Sequence, residues 1–193
     1  MNRKLFFVIS LLITLMISCK TTGFNSKSID INGMVYDFSN RPVAHCEIYL
    51  GKWSKVISDI NGRFSFPKVS PGTYLLRVEK KGFEQYSEEI IVRDQGQIIY
   101  LRLPSQKQLL DLLDEALTAN DLVFAAELAN RAYLIDKNSI EMLFYYATVI
   151  FKKGEYPEAA NYLQIAKNLG SKDKFIDKFL EDLRRLQNAD KSK

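Results

Sequence analysis

The residue types that carry most protein chemistry are scarce in this chain. One histidine, His45, and two cysteines, Cys19 and Cys46, are all the soft ligands and thiol or imidazole groups in 193 residues. A structural zinc site takes four Cys or His ligands, and a disulfide framework takes several paired thiols, so the composition excludes both. His45 and Cys46 are adjacent, but no second histidine exists to act as a base, and Cys46 reads as a small buried hydrophobe. Asp59-x-Asn61-Gly62 opens like a calcium loop. An EF-hand needs a glutamate at its twelfth position, and that position is Ser70, so the segment reads as a tight hairpin turn in which Gly62 takes a positive φ. There is no glycine-rich phosphate loop, and the acidic residues fall in turns or on polar helix faces. The expectation is a protein without metal, cofactor or catalytic residues. A formal net charge of +4 is too weak to argue for nucleic acid.

Cys19 differs because of what precedes it. Arg3 and Lys4 lead into the apolar run Leu5–Ile17. That length fits the ~7–15 residue core of a secretory signal and falls below the ~18 needed to span a bilayer. The run ends in Leu15-Met16-Ile17-Ser18-Cys19, which resembles a bacterial lipobox, with small Ser18 before the cysteine and Met16 in place of the usual leucine. The resemblance implies a signal peptide over 1–18, cleavage before Cys19, and acylation of that cysteine with palmitate-type chains. A mature chain would carry +2, having lost Arg3 and Lys4. One acyl chain holds a protein marginally and two or three hold it durably. Residues 19–28 read as a polar tether, and Lys20 after the cysteine implies the outer membrane, facing the periplasm, under the sorting rule of enteric bacteria.

From Ile29 to Leu103 turn signals recur every eight to twelve residues, as in an all-β domain. Strands are predicted over Ile29–Tyr36, Ala44–Leu50, Lys55–Ser58, Arg63–Phe66, Gly72–Lys80, Glu84–Val92 and Gln97–Leu103. Tyr74, Leu76 and Val78 alternate with Leu75, Arg77 and Glu79, a strand with one face buried. Five motifs in order carry a resemblance to the carboxypeptidase regulatory-like domain: 31–35, 42–44, 59–64, 69–74 and Lys81-Gly82-Phe83. That resemblance implies a small seven-stranded, transthyretin-like β-sandwich over 29–103. The purine-degrading enzymes of the transthyretin-like group use several histidines, and this chain has one.

Beyond Pro104 the apolar period changes from two to 3.6. Helices are predicted over Ser105–Thr118, Leu122–Ile135, Ser139–Lys152, Tyr156–Leu169 and Lys172–Asn188, with caps at Ser105/Gln108 and Asn138/Glu141 and Pro157 in a first turn. Displaced by 34 residues, Ala125 falls on Ala159, Ala132 on Ala166, Leu109 on Leu143 and Asn120 on Gly154. This period resembles the tetratricopeptide repeat, a stacked α-hairpin. The reading is therefore multidomain β plus α, with the sandwich followed by a tetratricopeptide-type array over 105–188 and a fraying tail over 189–193. The last helix serves as a cap, with Phe175, Ile176, Phe179, Leu180, Leu183 and Leu186 on its apolar face. Since such arrays usually need three or more units, the sandwich is expected to help by packing Tyr100, Leu101 and Leu103 near Leu109 and Leu110.

The repeat resemblance implies a concave face on the first helix of each unit. Carried over, it selects Lys107, Leu110, Asp114, Leu117 and Thr118, then Glu141, Phe144, Thr148, Phe151 and Lys152. Two readings of Phe144, Phe151, Leu110 and Leu117 stay open: a groove for an envelope protein or peptide segment, or self-packing. The expected function is a non-enzymatic interaction scaffold in the bacterial cell envelope, held to the membrane through Cys19. The alternative is a carbohydrate- or peptidoglycan-binding lipoprotein using Trp53, Tyr49, Phe83 and Tyr86 on the sandwich.

Overall fold

The computed structural model describes residues 28–93 and 96–190. The predicted signal peptide, Cys19 and most of the tether lie outside the described residues, as do residues 191–193. Seven strands come first: β1 (Ile29–Tyr36), β2 (Glu47–Leu50), β3 (Ser54–Ile57), β4 (Arg63–Val69), β5 (Gly72–Glu79), β6 (Tyr86–Val92) and β7 (Gln97–Arg102). They form a three-stranded sheet ordered β4-β1-β7 and a four-stranded sheet ordered β3-β2-β5-β6. β7 runs parallel to β1, and every other pairing is antiparallel. Period-two alternation turns Ile31, Val35, Phe64, Phe66 and Leu101 of one sheet toward Ile48, Leu50, Leu76, Val78 and Val92 of the other, and these residues form one core.

Several boundaries differ from the predicted ones for local reasons. β2 starts at Glu47, not Ala44, because His45 takes a left-handed φ of 55° and the Cys46 N–H donates to the Ser58 hydroxyl (2.9 Å). β4 runs on through Pro67 to Val69. It is an edge strand, where proline's missing N–H costs no ladder bond. The Asp59–Gly62 turn is not a hairpin within a sheet. It links β3 of one sheet to β4 of the other, and the Asp59 carboxylate accepts from the N–H groups of Asn61 and Arg63 (both 2.8 Å). Cys46 is fully buried, as expected, and burial pushes its thiol above the usual range.

Five helices follow: α1 (Gln106–Thr118), α2 (Leu122–Ile135), α3 (Ile140–Lys152), α4 (Tyr156–Asn168) and α5 (Lys174–Asp190). Each packs on the next, and α1 also touches α3. Ser105 and Gln108 form the predicted capping box. The cap of α3 is Ser139, whose hydroxyl accepts from the Met142 N–H (3.3 Å), rather than Asn138. α5 extends to Asp190, past the predicted Asn188, because no residue there breaks the helix. It buries Ile176, Leu180 and Leu183 but leaves Phe175 75% exposed, so Phe175 is not on the packed face. The helices bury two apolar clusters, one centred on α1 and α2 and one on α3, α4 and α5.

The two parts bury separate cores, and of the residues predicted to dock Tyr100 stays in solvent. Tyr100 is 66% exposed, Leu101 and Leu103 belong to the sheet core, and Leu109 and Leu110 belong to the helical core. The junction is polar. The Gln106 N–H donates to the Gly82 carbonyl and the Glu84 N–H to the Pro104 carbonyl (both 2.9 Å). Gln108 bonds the Ser39 hydroxyl (3.0 Å). Arg131 grips Glu84 in a fork, Nε to Oε1 and Nη2 to Oε2 (both 2.8 Å), with both side chains about 70% shielded, at 30% and 28% exposure. Loss of that fork in Arg131→Ala is expected to cost about 1–2 kcal/mol. Amide exchange should quicken roughly tenfold at Glu84 and Gln106 while the two cores stay protected. Unchanged exchange at those amides would show that the fork does not hold the junction.

Candidate functional site

The helices expected to form the inner face start in a repeated register. α1, α3 and α5 begin at Gln106, Ile140 and Lys174, and α2 and α4 begin at Leu122 and Tyr156. The α1–α2 and α3–α4 turns share a left-handed residue at equivalent positions, Asn120 (φ 58°) and Gly154 (φ 84°). Asparagine tolerates this conformation better than most side chains, so the turn survives without glycine. Ala125, Ala132, Ala159 and Ala166 are all fully buried, which lets the helices approach closely.

The ten residues carried over to this face have different fates. Leu110 is 2% exposed and belongs to the core, so it offers no surface to a partner. Phe144 and Phe151 are half-buried, and both pack edge-on against Phe179 of α5, with ring centroids 6.2 and 5.2 Å away. On that side the molecule covers them itself. Leu117 and Thr148 are also half-buried. The Thr148 hydroxyl donates back to the Phe144 carbonyl (2.9 Å). Lys107, Asp114, Thr118, Glu141 and Lys152 are exposed. Lys107 pairs with Asp111 (2.6 Å), and the Tyr145 hydroxyl donates to Asp114 (3.2 Å), which ties α3 to α1. What remains open is a charged strip across α1 and α3 edged by half-covered aromatic rings. The sequence put Phe179 on the apolar face of the last helix and left self-packing open, and the structure brings that ring against Phe144 and Phe151.

A second concavity lies at the junction. A cleft of about 790 Å³ is lined by His45, Lys80, Phe83 and Glu84 from the sheet domain and by Leu134 and Ile135 from the end of α2. Two of its charged groups are engaged. The Lys80 ammonium donates to the Ala44 carbonyl and sits 5.5 Å from the Phe83 ring centroid, and Glu84 holds Arg131. The sequence singled out His45 and Phe83 for other roles but gave no signal that they meet Leu134 and Ile135, which lie far along the chain. Among the described residues no group of three or more His, Cys, Asp or Glu is arranged to hold a metal.

The four aromatic residues considered for sugar stacking do not converge. Trp53 is 94% exposed at the tip of the β2–β3 turn. Phe83 lies in the junction cleft at the opposite end of the sheets. The Tyr49 ring is covered by Lys55 and Arg77, 5.3 and 5.2 Å from its centroid. Tyr86 is half-buried, and burial together with its hydrogen bond to Glu88 pushes its phenol up to about 12.

The family model of the carboxypeptidase regulatory-like domain matches residues 30–102, the whole of the two-sheet domain but for its margins. No curated protein matches the chain. Solved structures match part of the chain at low identity. A type II cohesin–X-dockerin complex from Acetivibrio cellulolyticus is 15% identical over 39% of this chain and 56% of that one, with a TM-score of 0.35. The pilus 2b backbone protein of group B streptococcus is 11% identical over 40% of this chain and 41% of that one (TM-score 0.37). The 3-chlorocatechol 1,2-dioxygenase of Rhodococcus opacus 1CP is 13% identical over 42% and 61% (TM-score 0.33). The chain spans less than two thirds of each of these structures.

Proposed function

We infer that this chain is a non-enzymatic lipoprotein of the bacterial cell envelope that presents a tetratricopeptide-type helical face to a polypeptide partner. The observation that carries the reading is the constant 34-residue step from α1 to α3 to α5. It gives positions in successive helices the same register: Lys107, Glu141 and Phe175, then Asp114, Thr148 and Asp182, then Thr118, Lys152 and Leu186. A face built this way offers spaced charges and a few apolar edges, which suits an extended segment of another protein better than a small molecule. α5 supplies the first helix of a third unit and stands in for the missing second one as a cap. The carboxypeptidase regulatory-like domain serves as a rigid spacer. Acylation at Cys19 would hold the assembly at the outer membrane, facing the periplasm, with residues 20–28 as tether.

Site-specific photocrosslinking in cells tests the partner face. Probes at Glu141 and Lys152 are expected to yield the same product, and probes at Asn161 and Gln164 on the outer side of α4 none. Equal products from both faces would overturn the assignment. Mass spectrometry of the mature N-terminus tests the anchor: an acylated Cys19 supports it, and an unmodified thiol removes it.

A further inference from the structure

The strand directions bring one set of residues to the end of the sheet domain farthest from the helices. β1 enters there at Ile29, β4 leaves there at Val69, β5 starts there at Gly72, and Val92 pairs with Gly72 as β6 ends. The β2–β3 turn lies at the same end, because its Gly51 N–H donates to the Leu75 carbonyl (2.8 Å). The helices leave from the other end, after Arg102. The end where the chain enters carries Trp53 on that turn, 94% exposed, and near the same end Ile91 of β6 and Ile98 of β7, each 60% exposed, on the outer faces of the two different sheets. Lys52, Lys68 and Arg93 are exposed at the same end, and no ion pair among the described residues engages them. Asp30 is the acidic group beside them, and it accepts from the Lys68 backbone N–H (2.9 Å). Glu89 stands further along the outer face of β6, and Asp94 lies outside the described residues.

We propose that this end of the sheet domain rests on an anionic lipid surface, with Trp53 at the water–lipid boundary and Lys52, Lys68 and Arg93 on the headgroups. An indole prefers that boundary because its ring is apolar and its N–H polar. Lysine and arginine around it gain from the negative surface potential of anionic lipid. Chain length supplies the second argument. Nine residues lie between Cys19 and Ile29, ten Cα steps in all, so an acyl group on Cys19 holds this end of the domain within roughly 35 Å of the bilayer. The docked orientation turns the helical face away from the lipid, toward partners. This last argument rests on the lipoprotein reading, whereas the residues of the surface do not.

Trp53 is the sole tryptophan, so it reports its own environment. The full chain, purified from membranes, is placed in vesicles of phosphatidylethanolamine and phosphatidylglycerol, or of phosphatidylcholine alone, with brominated acyl chains as quenchers. On the anionic vesicles Trp53 emission should move to shorter wavelength and be quenched. The Lys52→Glu/Lys68→Glu/Arg93→Glu variant, with its circular dichroism unchanged, should lose about threefold or more of that quenching. Chain that floats with the vesicles while Trp53 emits as in water would overturn the proposal. So would equal quenching in the variant or on phosphatidylcholine, or a Trp53 response to soluble muropeptides in place of lipid. Quenching on anionic vesicles by chain whose Cys19 is unmodified would uphold the surface and remove the tether.

Discussion

Gly62→Ala unfolds the sheet domain at a temperature at least 10–15 °C below the parent. Gly62 sits at φ +73°, and a Cβ built there would stand 2.4 Å from the Val35 carbonyl oxygen and 3.2 Å from the Val43 nitrogen. Both are backbone atoms, so no side chain can swing aside. The left-handed conformation alone costs an L-residue about 1–2 kcal/mol. Relieving the contact must move the turn away from β1 and weaken the bond from the Val35 N–H to the Gly62 carbonyl (2.8 Å). Together these cost about 3 kcal/mol, and a domain of this size loses ~4–8 °C per kcal/mol. Amide exchange at Val35 and Phe64 and a thermal melt followed by circular dichroism read the effect. A change of a degree or two would mean that the turn is softer than its geometry implies.

Leu163→Ala should cost about 2–5 kcal/mol, and the loss should stay in the helices. Leu163, on α4, is fully buried among Leu143 of α3 and Ile176, Leu180 and Leu183 of α5. The sheet core shares no buried residue with this cluster, and the junction between them is held by backbone bonds and the Glu84–Arg131 fork. Helical amides in α3, α4 and α5 should therefore lose protection while Leu76 and Val78 keep theirs. Simultaneous loss in both regions would show that the polar junction couples them into one cooperative unit.

Local rules made much of the architecture legible. Leu76 and Val78 are buried and Leu75 and Arg77 exposed, as the alternation required, because a strand's period of two leaves a side chain no other choice of face. Ser105, Gln108 and Pro157 marked helix starts because capping is a matter of a few adjacent backbone donors. The candidate site was less legible. The equivalent positions on α1 and α3 were found by spacing, but Leu110 went to the core and Phe144 and Phe151 went under Phe179. Periodicity identifies a face and is silent on what lies across from it.

The amino-acid order by itself determined the scarcity of histidine and cysteine, the lipobox-like run ending at Cys19, the two kinds of secondary structure and the 34-residue step. These depend on residue inventory and on contacts within a few positions. Tertiary structure alone decided that Arg131 reaches Glu84, that the two cores meet through a polar seam, and that Trp53 stands at the end where the chain enters, away from the helices. Each joins segments tens of residues apart, and their meeting depends on strand direction and helix packing, which leave no mark in the spacing of the residues that meet.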